Sequence, residues 1–352
     1  MRILFLRFFT AFIILATISV ANAGTTASPQ ALVVLTWADY LEPEIVAEFE
    51  REFNSKVKFA YFASDDHRDE LLATSDAKGY DLALVNGLMV GPYSQRNWLA
   101  PVSQTNIPNL SHIDRRWRDA FPGTAEFAVP YFWGTLGIGY RRDLIPEGFT
   151  TWKAFFKPSD SLRGHITMLK SSRDVIGMAL KSLGYSANSE DRNAIRDAGK
   201  LLEAQKPYVK SYEYVTLSEN SALVTGEVWA SLMYSGDALM VQEHHQDIAY
   251  VVPEEGSNLW ADYFTVLESS TQKNLAMQFI NFLNRPKIAA RNAEFVYYAT
   301  PNTAARAHLS KEYFANKIIH PDKEALSRSE VYRELAPRAQ KTLNTVYVQL
   351  IN

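Results

Sequence analysis

Cysteine is absent from all 352 residues. That excludes disulfide scaffolds, iron–sulfur clusters, thiolate zinc sites, cysteine nucleophiles and a lipid-modified N-terminal cysteine. Glycine and proline are few, 16 and 15, and neither gathers into repeats or tracts, so collagen-like and low-complexity chains are excluded. Charge of one sign is lacking too. Lys+Arg of 36 against Asp+Glu of 39 gives a formal net charge of -3, which offers no basic surplus to nucleic acid or anionic membrane. No Walker A loop, His-Glu-x-x-His or Gly-x-Ser-x-Gly motif occurs. An acid/base hydrolase built on carboxylates stays as a remote reading, since spacing marks no two of them as partners. No cofactor or metal is called for.

Apolar residues are present in the proportion of a folded chain, 47% hydrophobic and 12% aromatic. At roughly 100–200 residues per domain, the length suggests two domains, each with its own core. Residues 1–23 read as a secretory signal peptide: Arg2 and Arg7, an apolar run, then Ala21-Asn22-Ala23. Thr10, Thr17 and Ser19 interrupt that run, leaving it short of the ~20 apolar residues that span a bilayer. A soluble exported product is expected. Export without cysteine suits a bacterial periplasm.

From residue 31 onward, strand and helix signals alternate. Strands are expected at 31–37, 56–61 and 80–85, and helices at 42–54, with Pro43 in the first turn, and at 67–74. Residues 127–140 should form the strand that leaves the first lobe and opens the second. There, strands at 165–169, 228–234 and 248–252 alternate with helices at 173–183 and 191–205. A strand at 262–267 and a helix at 274–283 follow, ended by Pro286. The pattern is that of an α/β protein with mainly parallel sheet. Two lobes without a Pro/Ser tether imply a hinge made of strands.

Two motifs mislead. Gly134-Thr135-Leu136-Gly137-Ile138-Gly139 has reversed glycine spacing for a dinucleotide loop and opens no helix, so it reads as close strand packing. Glu243-His244-His245 with Asp247 holds metal-ligand residue types, but adjacent histidines point apart, which reads as a solvated turn.

Aromatics and acids recur together where strands end: Trp37-Ala38-Asp39-Tyr40, Tyr234-Ser235-Gly236-Asp237 and Trp260-Ala261-Asp262-Tyr263. Ligands of open α/β sheets bind beyond the carboxyl ends of strands, so these segments are expected to face one crevice. Ring faces attract cations and alkyl chains, and carboxylates accept charge-assisted hydrogen bonds from ammonium groups. Such a slot suits an elongated polycation. The competing reading makes the rings core and the acids helix caps.

Taken with TWADYLEPEIVAEFE, YDLALV, AVPYFWGTLGIGY, RDVIGMALKSLGYS, LMYSGDA, PEEGSNLWADYF, INFLNRPKIA and YYATPN, nearly the whole chain after residue 33 resembles the spermidine/putrescine-binding periplasmic proteins of bacterial polyamine import. The resemblance implies a two-lobed periplasmic binding protein fold of type II, with mixed sheets flanked by helices and the ligand between lobes. It implies residues 24–132 and 262–305 in lobe 1, with 133–261 and 306–352 in lobe 2. It also implies ligand roles for Trp37, Asp39 and Tyr40 at one amine end, Trp260 and Asp262 at an inner amine, Tyr298 as a further ring and Asp174 at the other end. Tyr234 stands where spermidine binders carry Trp, and Asp237 matches an acid of the putrescine binders. Ala38, Leu88, Ser171 and Tyr332 depart from the spermidine pattern, replacing a hydroxyl residue, a tyrosine, an acid and a glutamine. The implied protein is a monomer that binds spermidine, norspermidine or putrescine without turnover and delivers it to the permease of an ABC transporter. Some family members instead dock on a membrane signalling protein that controls cyclic-di-GMP and biofilm.

Overall fold

The computed structural model describes residues 30–351; the signal segment lies outside them. Strand β1 (Gln30–Thr36) is followed by helix α1 (Pro43–Glu52), β2 (Ser55–Tyr61), α2 (Asp65–Ser75), β3 (Leu82–Asn86) and α3 (Gly87–Gln95). Leu32, Val34 and Leu35 of β1 are fully buried, as are Ile45 and Phe49 of α1. Pro43, whose missing N–H is no loss in a first turn, starts α1. Phe49 packs edge-on against Phe279 and Phe282 of helix Lys273–Leu283, with ring centroids 4.8 and 5.5 Å apart. These contacts fasten the start of the chain to its later return.

The remaining strands are β4 (Leu99–Ala100), β5 (Ala128–Arg141), β6 (Ile166–Met168), β7 (Val209–Tyr212), β8 (Ala230–Tyr234), β9 (Ile248–Val251) and β10 (Leu259–Leu267). They run β2-β1-β3-β10-β5-β8-β6-β7, with β4 on β10 and β9 on β5. The β2-β1-β3 and β7-β6-β8 ladders are parallel, as expected, whereas β10 and β5 are antiparallel to their neighbours. The sheets are therefore mixed. No helix among the described residues is long and apolar enough to cross a membrane.

One strand serves both lobes. Residues 128–135 of β5 pair with β10, and residues 136–141 pair with β8 and β9. Beside this crossover, Leu136 N donates to Asn258 O (3.1 Å), Leu259 N to Glu330 O (2.8 Å) and Glu330 N to Ser257 O (2.8 Å). Three hydrogen-bonded segments thus join two separate cores. One holds Leu32, Phe49, Phe264 and Phe279, and the other holds Trp152, Ile166, Leu232 and Leu343.

The expected boundaries shift at the C-terminal end. Residues 306–352 are expected in the second lobe; Tyr313 and Ile319 bury in the first core, and the Tyr313 hydroxyl donates to Tyr298 O (2.6 Å). Leu259 and Ala261 also pack on the first-lobe side, while Tyr332 and Leu335 belong to the second core. We place the three crossings at Thr135, Asn258 and Glu330. Helices Ser235–His244, Pro286–Val296 and Pro337–Ile351, α3 and β7 add to the elements expected from the sequence. Pro92 inside α3 is one reason that helix is hard to read from sequence. The glycines of β5 do allow close packing: a Cβ at Gly134 would meet the Trp260 ring at 2.5 Å.

Glu330 pins the third crossing to the second lobe. Its carboxylate takes the nearly buried Lys181 Nζ (3.0 Å), the Ser186 hydroxyl and Ala187 N (3.3 Å). Burial pushes its pKa up, but the bonds from Ser186 and Lys181 outweigh that and hold it below the ordinary range. Replacing Glu330 by Ala leaves the Lys181 ammonium without its counter-charge and with only the Arg328 carbonyl (2.9 Å), so Glu330→Ala is expected to cost about 2–4 kcal/mol, against near zero for the exposed Glu203→Ala. Urea unfolding midpoints giving equal values for the two variants would exclude this clamp.

Candidate functional site

The segments expected to face one crevice do converge. After β1, Asp39 takes a left-handed backbone, φ 54, a conformation that Asp and Asn enter more readily than bulkier residues. The turn brings Tyr40 back over the sheet, where its hydroxyl donates to Asp262 Oδ2 (3.1 Å). Asp262 sits at an irregularity: it pairs with Phe132, but Tyr263 pairs with Pro130, leaving Tyr131 as the extra residue of β5. A bulge bends the strand and re-aims side chains. The Tyr131 hydroxyl donates to Tyr40 O (2.7 Å) and accepts from Asn292 Nδ2 (2.7 Å). Opposite Asp262 on β3, Asn86 leaves its side-chain oxygen buried without a partner.

The same motif recurs twice. Tyr298 donates to Asp237 Oδ1 (2.7 Å), and Tyr234 donates to Asp174 Oδ2 (2.9 Å). Between them stands Trp260, edge-on to Tyr298 (4.8 Å) and Tyr234 (5.8 Å), its indole N–H buried and unpartnered. A Cβ at Gly236 would meet the Tyr298 ring at 2.3 Å, so glycine in the Tyr234–Asp237 segment makes room for that ring. Asp174 and Asp237 belong to the first turns of their helices, and Asp262 lies within β10. Ser171 caps helix Ser172–Ser182 through Asp174 N (3.3 Å).

Electrostatics single these acids out. Burial, then the nearby Asp65 charge, pushes Asp262 up to about 7 against smaller opposing effects of Arg68 and the Tyr40 hydroxyl. Burial pushes Asp237 up to about 6 and raises Asp174, although hydroxyls of Ser171, Tyr234 and Tyr332 oppose it at Asp174. The Tyr40, Tyr234 and Tyr298 hydroxyls stay protonated, held well above the ordinary tyrosine range by burial and their aspartates. Among the described residues, no Lys or Arg forms an ion pair with Asp174, Asp237 or Asp262. Buried carboxylates without a cation are poised to receive one.

Two expected residues stand apart from this cluster. Asp39 is exposed, and Trp37 is half-buried, packed edge-on against Phe62 (4.4 Å). Trp37 also approaches Tyr214, a second-lobe residue just past β7, with centroids 6.1 Å apart. Leu88 packs against the second core as well, so the lobes touch at the rim. Glu243, His244 and Asp247 are exposed, and no metal-holding cluster of three or more His, Asp or Glu occurs among the described residues.

Sequence reasoning missed Tyr214 and the start of α2. Asp65 there pairs with the buried Arg68 guanidinium, which also holds Asp69 (2.7 Å). The Asp65 charge reaches Asp262, Tyr234 and Tyr214. Ser64-Asp65-Asp66 directly after a strand was the available signal, a helix cap at a strand end.

Two α/β lobes joined by crossing strands around a polar, aromatic crevice define a binding protein of the two-lobed type. The chain belongs to the bacterial extracellular solute-binding protein family, whose model matches residues 44–321. It is 32% identical over 314 residues to the norspermidine sensor of Vibrio cholerae, covering 89% of this chain and 86% of that protein. It is 30% identical over 298 residues to the spermidine/putrescine-binding periplasmic protein of Escherichia coli (84% of each). Among solved structures, the spermidine/putrescine ABC transporter substrate-binding protein of Streptococcus pneumoniae superposes with a TM-score of 0.79 at 28% identity, over 91% of this chain and 98% of that one.

The raised carboxyl groups make ligand-free stability depend on pH. An unfolded aspartate titrates near ~4, so the folded chain alone holds these protons between about 4 and about 7. Unfolding releases them, and stability falls as pH rises through that window. Asp262→Asn removes the group raised to about 7. The variant is expected to be more stable than the parent by on the order of 2–3 kcal/mol at pH ~8, with little difference at pH ~4. Urea titrations giving the same difference at both pH values would contradict the raised pKa.

Proposed function

We propose that this protein is a periplasmic polyamine receptor that closes on spermidine, norspermidine or putrescine and presents it to an ABC transporter, without chemical turnover. The observation carrying this reading is the trio of buried aspartates, each hydrogen-bonded by a tyrosine and lacking a cation, around Trp260. Ammonium groups would supply the missing charges, and ring faces would line the methylenes between them. The names of the relatives agree with that chemistry. Trp37 and Asp39 complete the rim in this reading. The lobes would close because a bound cation engages acids of both: Asp262 from the first lobe, and Asp174 and Asp237 from the second.

A second reading makes the same closed form a signal read by a membrane signalling protein. It is favoured by the likeness to the norspermidine sensor and by Ser171, whose hydroxyl serves as a helix cap where the spermidine receptors carry an acid. One carboxylate fewer at that end would favour different amine spacing. The two readings part on uptake: deletion lowers import of labelled polyamine in the first and leaves it unchanged in the second.

Calorimetry on the purified chain tests the site. Asp262→Asn is expected to weaken polyamine binding ~100-fold or more while stabilising the free protein, because the same desolvated charge is a cost when empty and a partner when filled. Trp260→Ala is expected to lose roughly 10–100-fold. The exposed Asp247→Ala should stay within about 2-fold. Unchanged affinity in Asp262→Asn, or a thermal response to sugars but to no amine, would place the site or ligand elsewhere.

A further inference from the structure

A cavity of about 410 Å³ opens in the first lobe on the far side of the segment that carries Tyr298. It is distinct from the crevice. Phe132 packs on Tyr40 (5.6 Å) inside the crevice, and Trp133, the next residue of β5, presents its ring to the opposite face and lines the cavity. Trp133 exchanges backbone hydrogen bonds with Ala299 (3.0 and 3.2 Å), so the 299–303 stretch forms one wall.

The lining combines flat rings with uncompensated cations. Trp117 and Trp133 stack at 5.0 Å with 27° between their planes. The Arg116 guanidinium lies 4.8 Å over the Trp117 ring, and that of Arg306 lies 5.1 Å over the Phe314 ring. Arg68, Arg115, Arg141, Arg285 and Arg291 all form ion pairs. Among the described residues neither Arg116 nor Arg306 does. Asp114, the acid of the lining, caps the backbone N of Arg116 (2.8 Å). His320 stacks on Phe314 (5.6 Å, 24°) and leaves Nε2 buried without a partner. Burial and then the Arg306 charge lower its pKa, so the imidazole is neutral at pH 7 and can donate or accept one hydrogen bond.

A guanidinium stacked on a ring keeps its in-plane N–H edge free, and that edge matches a carboxylate. We propose that this cavity is a second ligand site for a small carboxylate with a flat apolar body, of the aromatic-acid class. The body packs on the half-buried Trp133 ring in the cavity wall, and Arg116 and Arg306 hold the charge. The same cations repel polyamines, so the two sites select ligands of opposite sign.

Calorimetric titration with benzoate, 4-hydroxybenzoate and indole-3-acetate tests the assignment, with acetate and spermidine as comparisons on the full mature chain. At least one aromatic acid is expected to bind, and to bind more tightly than acetate. Arg116→Gln and Arg306→Gln should each weaken it about 10-fold or more, the range of a lost charge-assisted hydrogen bond. Both arginines are exposed, so these variants should keep the parent's melting temperature and spermidine affinity. Trp260→Ala, in the crevice, should leave aromatic-acid binding unchanged. No heat from any aromatic acid up to about 10 mM, a range that still reads ~1 mM affinities, would overturn the assignment. So would unchanged affinity in the Arg116→Gln/Arg306→Gln double variant, or loss of binding in Trp260→Ala.

Discussion

The crevice depends on one unbalanced interaction, a buried aspartate that receives a tyrosine hydroxyl and no cation. Tyr40–Asp262, Tyr298–Asp237 and Tyr234–Asp174 repeat it. A neutral donor answers one oxygen of the carboxylate and stays protonated doing so, but leaves the charge itself uncompensated. Burial therefore raises all three acids, Asp262 up to about 7 and Asp237 up to about 6. This is a cost to the empty fold that two large cores can bear. Their fully buried rings, Phe49 and Phe279 in one and Trp152 and Phe155 in the other, supply stability away from the crevice.

That arrangement explains why the acids sit where they do. Asp174 and Asp237 occupy first turns of helices, where the backbone N–H groups favour negative charge, and Asp262 sits beside the β-bulge at Tyr131. The acids come from different lobes, which are otherwise joined by three short crossings. The crossings hydrogen-bond to each other rather than flexing independently. Glu330 fixes one of them to the second lobe.

Much of the fold was legible because its signals are local. Strands at β1, β2, β5 and β10, and helices such as Ser172–Ser182 and Arg192–Gln205, follow from apolar periodicity and caps. Helix Ser235–His244 escaped because apolar and polar residues are spread around it, with Asp237 facing the crevice. The C-terminal boundary escaped because residues 306–319 have no strand pattern, and only packing beneath Tyr298 assigns Tyr313 and Ile319 to the first core.

By itself the sequence determined the α/β class, the absence of thiol chemistry and the residue types of the crevice. Those follow from composition and from aromatic–acid pairs at strand ends. Only the tertiary structure decided which acid meets which tyrosine, since Tyr40 and Asp262 are 222 residues apart and meet through a bulge. It also separated Asp39, exposed at a left-handed turn, from the buried acids, and brought Asp65 into their field. The physical reason is the range of the forces. Periodicity and capping act over a few residues, whereas desolvation and the pairing of charges depend on what the whole chain folds around them.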